Sequence, residues 1–103
     1  MKVFYIATTT ILLSLAQSCS SVTPHENFKN HMQMNVAKKI NDSKTLWVRP
    51  QYLVDIQLLE NSNTENKYRF RGSCVYFFEI EKNTNIIVGW RFEGSEKDCS
   101  IAP

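Results

Sequence analysis

Three cysteines, two histidines and a small group of charged residues are the side chains in this chain with the types to do chemistry. Cys19, Cys74 and Cys99 are odd in number, so one thiol must have a fate other than an internal disulfide. A redox-active or metal-binding cysteine pair would want a Cys-x-x-Cys spacing or nearby histidines, and the sequence offers neither. His25 and His31 are six residues apart, which does not place two ligands on one helical face, so solvated or helix-capping roles are expected. Glu79, Glu81 and Arg91 have the types for an acid–base cluster, but cross-strand charge pairs on an exposed sheet face account for them more simply. There is no Gly-x-Ser-x-Gly elbow and no phosphate loop in a chain with three glycines. The expectation is a protein that is not an enzyme, with no catalytic residues, no metal, no cofactor and no small-molecule substrate.

The N-terminus sets the compartment. Met1-Lys2 is followed by an apolar run from Val3 to Leu15 and then by Ala16-Gln17-Ser18. A run of about 13 apolar residues suits a signal-peptide core and falls short of the ~20 needed to span a bilayer. The alternative, a buried N-terminal helix, suits this threonine-diluted segment poorly. Residues 1–18 are therefore expected to be a signal peptide, and 19–23 a small polar tether. Leu15-Ala16-Gln17-Ser18-Cys19-Ser20-Ser21 resembles the bacterial lipobox, in which the cysteine receives a diacylglycerol thioether and becomes the mature N-terminus. That resemblance implies lipidation at Cys19; ordinary cleavage with a free Cys19 thiol is the alternative. Losing Lys2 lowers the net charge from +2 to +1. Lys38-Lys39 and Arg69/Arg71 are too sparse for a phosphate-tracking stripe, which argues against a nucleic-acid partner.

The elements that position the remaining residues follow from periodicity. Thr23-Pro24-His25-Glu26 has a capping residue, a proline suited to the first helical position and a glutamate three after the cap. Phe28, Met32, Val36 and Ile40 then recur every four residues, predicting a helix over 24–41 with Lys38 and Lys39 at its C-terminal end. Tyr52, Val54, Ile56 and Leu58 alternate with Leu53, Asp55, Gln57 and Leu59, predicting a half-buried strand. Residues 61–66 are turn material, and 67–71 form a short second strand interrupted at Gly72. Cys74, Tyr76, Phe78 and Ile80 match Ile86, Val88, Trp90 and Phe92 across a three-residue loop, 83–85, with Asn85 left-handed. This register pairs Ile80 with Val88, Phe78 with Trp90 and Tyr76 with Phe92, and leaves Glu79 facing Gly89 with Arg91 diagonal to it. The expected fold is a single α+β domain over 24–103: one N-terminal helix packed on a three- to four-stranded antiparallel meander.

The same register places Cys74 opposite Gly94, so the tail 95–99 need only fold back to join Cys74 to Cys99. Setting Cys19 aside as lipidated leaves these two as a structural pair. Closing a loop of about 26 residues stabilises a chain by roughly 3.5 kcal/mol on the chain-entropy model.

Residues 74–80, then Ile86-Ile87-Val88-Gly89-Trp90-Arg91-Phe92-Glu93-Gly94-Ser95 and Cys99, resemble the C-terminal signature of small proteobacterial lipoproteins of uncharacterised role. Asn63 to Phe70 is similar to the strand that precedes it there. More distantly, the layout resembles the SmpA/OmlA (BamE-like) lipoprotein domain, whose members act as scaffolds in outer-membrane assembly and which has two helices where this chain predicts one. The resemblance implies a non-catalytic lipoprotein held on the periplasmic face of the outer membrane, working through contacts with a periplasmic or outer-membrane protein in assembly or maintenance. Ser20 after the acylated cysteine fits outer-membrane sorting. The alternative function is a small exported inhibitor or protective protein directed against a wall-degrading or other secreted enzyme, presenting a loop such as 61–66.

Overall fold

The helix starts where the cap demands. In the computed structural model, which describes residues 21–103, Thr23 is extended (φ −72°, ψ 157°) and its Oγ1 accepts the Glu26 N–H at 3.1 Å. Pro24 occupies the first turn of helix α1, Pro24–Gln33. The signal peptide expected over 1–18, Cys19 and Ser20 lie outside the described residues.

The helix ends eight residues earlier than its apolar spacing predicts. Asn35 and Val36 switch to i→i−3 bonds, at 3.1 Å each from the Met32 and Gln33 carbonyls, and Ala37 turns left-handed at φ 76°. Residues 37–40 then run alongside Ile86 and Ile87. Ala37 N–H donates to Ile87 O at 2.8 Å, Ile87 N–H to Lys38 O at 2.9 Å and Ile40 N–H to Asn85 O at 2.9 Å. A fully buried Asn35 side chain explains the break: its Oδ1 accepts the Leu46 N–H at 2.6 Å and its Nδ2 donates to Leu46 O at 2.7 Å. Asparagine competes with helix by bonding backbone elsewhere, and here two long-range bonds decide the contest. Of the expected stripe, Phe28 and Met32 are buried on α1, while Ile40 packs against the core from the bridging segment. Lys38 and Lys39 therefore sit beside the sheet, not at a helix C-terminus.

Four antiparallel strands follow: β1, Leu53–Leu58; β2, Thr64–Arg69; β3, Val75–Ile80; and β4, Ile87–Glu93. Their order in the sheet is their order in sequence, a meander packed with one helix as an α+β fold. β2 begins inside the segment expected as turn, because Thr64, Glu65 and Asn66 pair with β1 on one side and β3 on the other. A ladder on both sides outweighs their weak strand propensity. The turn itself is shorter, closed by Leu59 N–H donating to Asn63 O at 2.8 Å, with Ser62 left-handed.

In the β3–β4 hairpin Tyr76 faces Phe92, Phe78 faces Trp90 and Glu79 faces Gly89, as the alternation predicts. Nearer the loop a bulge shifts the register, so Ile80 meets Ile87 instead of Val88. Glu81 N–H donates to Ile86 O at 2.9 Å, leaving a four-residue loop, 82–85, with Asn85 at φ 59°. The bulge turns Ile87 into the core with no exposure and leaves Val88 47% exposed.

Phe28 anchors the interlayer packing, its ring edge-on to Phe70, Tyr76 and Phe92 at centroid distances of 5.5, 6.4 and 5.9 Å. Tyr76 is fully buried, and its hydroxyl donates to Trp47 O at 2.6 Å, which satisfies the one polar atom of that ring. The helix thus covers the β3–β4 half of the sheet, and β1 lies beyond it.

A candidate protein-contact surface at the open edge

The cysteines come together as expected. Cys74 and Cys99 form a disulfide with Cα atoms 5.2 Å apart, both fully buried. Gly94 permits the approach: its φ is +120°, and an added Cβ there would stand 2.9 Å from Cys74 Cα. The tail is fastened around the bond. Asp98 Oδ2 accepts the Ser73 N–H at 2.8 Å and the Ser73 hydroxyl at 2.7 Å, which holds its carboxyl below the usual aspartate range. Arg71 Nε donates to Asp98 O at 3.2 Å, and the same guanidinium reaches the Ser100 hydroxyl at 2.7 Å. Cysteine, serine, aspartate and arginine here hold the tail in place.

Both histidines have tertiary partners, contrary to the solvated or capping roles expected. His25 Nδ1 donates to the Cys99 carbonyl at 2.7 Å, and the ring stands edge-on to Phe92 with centroids 5.2 Å apart. His31 Nδ1 accepts the Trp47 indole N–H at 3.2 Å. These contacts tie α1 to the tail and to the segment before β1, and sequence spacing carries no signal for either.

The charged group divides. Glu79 Oε2 accepts from Asn61 Nδ2 at 3.1 Å and Asn63 Nδ2 at 2.7 Å, and the asparagines, Asn63 first, lower its pKa. Glu81 Oε2 receives the N–H groups of Asn83 and Thr84 in its own loop. Arg91 bypasses Glu79. Its guanidinium lies 3.6 Å over the Phe77 ring and forms a two-pronged pair with Glu65 on β2, at 3.0 and 2.9 Å, plus a third bond to Glu93 at 2.9 Å. The reach of arginine across an aromatic ring, not adjacency in the hairpin, selects the partner.

The surface that sequence alternation misjudged is β1. All six of its residues are exposed, including Leu53 at 36%, Val54 at 47%, Ile56 at 56% and Leu58 at 77%. The half-buried strand expected there is corrected for a plain reason: α1 spans ten residues, and its buried Phe28 packs on Tyr76, Trp90 and Phe92 of β3 and β4. Ile56 pairs with Asn66, which pairs with the buried Phe78, so Ile56 and Leu58 lie on the helix side of the sheet where no helix among the described residues reaches. Beside them opens a groove of about 410 Å³, walled by Ile40, Val48, Arg49, Pro50, Leu53 and Tyr68. Isolated exposed aliphatics are ordinary, but here exposed aliphatics of β1 adjoin an apolar groove.

No helix among the described residues is long and apolar enough to cross a membrane, and among them no three His, Cys, Asp or Glu side chains gather as a metal site. No protein-family model, curated protein or solved structure matches this chain.

Proposed function

We propose that this is a non-catalytic lipoprotein, anchored through Cys19 on the periplasmic face of the outer membrane, that works by protein contact. The observation that carries the contact role is the apolar groove beside β1, where Ile40, Val48, Leu53 and Tyr68 offer a concave, largely carbon-lined wall. The anchor and compartment are supported by the lipobox-like segment around Cys19 and by Ser20, and a role in envelope assembly or maintenance by the resemblance of the C-terminal half. The inhibitor alternative gains nothing from its expected loop. Thr64 to Asn66 are strand, and the remaining turn is held down through Asn61 and Asn63 on Glu79.

The test is expression in a Gram-negative host with labelled palmitate, combined with photo-crosslinking from Ser43, an exposed residue on the groove rim. Wild type is expected to take up label and fractionate with the outer membrane, and Cys19→Ala to lose the label. Leu53→Asp should abolish the crosslinked product and leave labelling intact. Unlabelled, soluble wild-type protein would overturn the anchor; crosslinking unchanged by Leu53→Asp would overturn the groove.

A further inference from the structure

The two edges of the sheet differ in what occupies them. At the β4 edge, residues 37–40 supply three backbone hydrogen bonds to Asn85 and Ile87. At the β1 edge, among the described residues, a single side chain performs that office: Asp55 Oδ1 accepts the Ile56 N–H at 2.9 Å. Leu59 N–H donates to Asn63 O, towards β2. Alternate residues of a strand direct their backbone groups to opposite sides, so Asp55 and Gln57 face β2, and Ile56 and Leu58 present N–H and C=O outward. An exposed apolar strand with outward donors and acceptors is a template for strand addition.

We infer that the occupant is a second copy of this chain, joined β1 to β1 in an antiparallel pair about a two-fold axis through Ile56. The residues of the strand choose both partner and register. Centred on Ile56, the pairing sets Ile56 against its symmetry mate and Asp55 against Gln57, and brings Leu58 to the bulge at Val54, where the regular strand ends. Apolar residues meet apolar ones, and the strand's one charge meets an uncharged amide. A centre at Asp55 would oppose two carboxylates. A centre at Gln57 would set Asp55 against Leu59. Because the axis stands perpendicular to the sheet, both copies keep Ile56 and Leu58 on the helix side. Two four-stranded sheets thereby become one of eight, with a closed, isologous seam. Asp55 must release the Ile56 N–H, which makes its carboxylate a guard on the edge against other strands. The inference rests on β1 alone and goes beyond the proposed anchor and groove.

The test uses the full chain, extracted in detergent. Sedimentation should give the mass of two copies for wild type and of one for Ile56→Lys, with the melting temperature of the variant unchanged at high dilution. Under mild oxidation Ile56→Cys should form an inter-copy disulfide, since directly opposed Cα atoms stand about 5.5 Å apart. Leu58→Cys should not, because its mate is displaced by four residues, roughly 13 Å. A monomeric wild type, equal crosslinking at both positions, or a dimer that survives Ile56→Lys would each overturn the pairing. Capture of a different protein at Ile56→Cys would overturn self-pairing as well. In every case the palmitate label and the Ser43 crosslink report separately on the anchor and groove.

Discussion

The two ends of the sheet are built from similar alternating strands and have opposite fates. At the β3–β4 end Tyr76, Phe78 and Ile87 have almost no exposure, a helix lies above them, and a disulfide closes the open end of the hairpin. At the β1 end the alternation Val54, Ile56, Leu58 is equally apolar, yet each residue is between 47% and 77% exposed. Alternation specifies a strand with an apolar face. It does not specify what covers that face, which depends on how far the neighbouring layer reaches. The ten residues of helix α1 reach β3 and β4 through Phe28, on Tyr76, Trp90 and Phe92.

The largest effects should come from breaking the covered end. Phe28→Ala removes the ring that meets Phe70, Tyr76 and Phe92, and is expected to cost about 3–5 kcal/mol by urea denaturation. Replacing Cys74 and Cys99 by alanine should cost about 2–5 kcal/mol and lower the melting temperature, while groove crosslinking from Ser43 persists in the cold. A double variant as stable as wild type would remove the staple from the account of this end.

Between the two ends stands Asn35, whose amide joins the end of α1 to the segment that leads into β1. Asn35→Ala leaves the Leu46 N–H and C=O without partners and should cost about 1–3 kcal/mol. Hydrogen exchange at Leu46 should rise with it. This residue also shows where the sequence stopped being legible. The helix start is local, set by Thr23, Pro24 and Glu26, and could be read directly. The strand register of Tyr76, Phe78, Trp90 and Phe92 is set by parity and could be read as well, as could the meeting of Cys74 with Cys99. The helix end depends on a bond to Leu46, eleven residues away, and the partner of Arg91 lies two strands over on β2. Histidine spacing was no guide to Cys99 or Trp47 as partners. Side-chain reach across the fold decides these, and periodicity is blind to it.

The pH dependence of stability should divide between the two ends in small portions. Asp98 at the stapled tail and Glu79 under the β1–β2 turn are both held below their ordinary pKa values, by Ser73 and by Asn63 with Asn61 respectively. A carboxylate with a depressed folded pKa contributes stability above its unfolded value, and that contribution is lost as the pH falls through the folded value. Asp98→Asn and Glu79→Gln should each weaken the protein slightly near neutrality and flatten the loss as the pH falls below the ordinary carboxylate range. Both groups face solvent, so screening keeps the effect small. A variant whose acid limb is unchanged in denaturant titrations would separate that carboxylate from the folded network.

The smallest expected effect sharpens the comparison most. Leu58 is 77% exposed, so Leu58→Ser gives up little burial and should change the stability of a single copy by no more than about 0.5 kcal/mol. The same substitution puts a hydroxyl on the edge that would self-pair, so it should weaken association and leave folding alone. Urea denaturation over a range of dilutions separates these outcomes, because stability gained by association grows with protein concentration and intrinsic stability does not. Wild type is expected to become more resistant as concentration rises, and Leu58→Ser to show less of that rise while matching wild type at the lowest concentration. A loss near 2 kcal/mol at every dilution would mean that Leu58 is buried within one chain, and the contrast between covered and open ends would fail. An equal, concentration-independent stability for both proteins would leave the contrast intact and remove the second copy from the open edge.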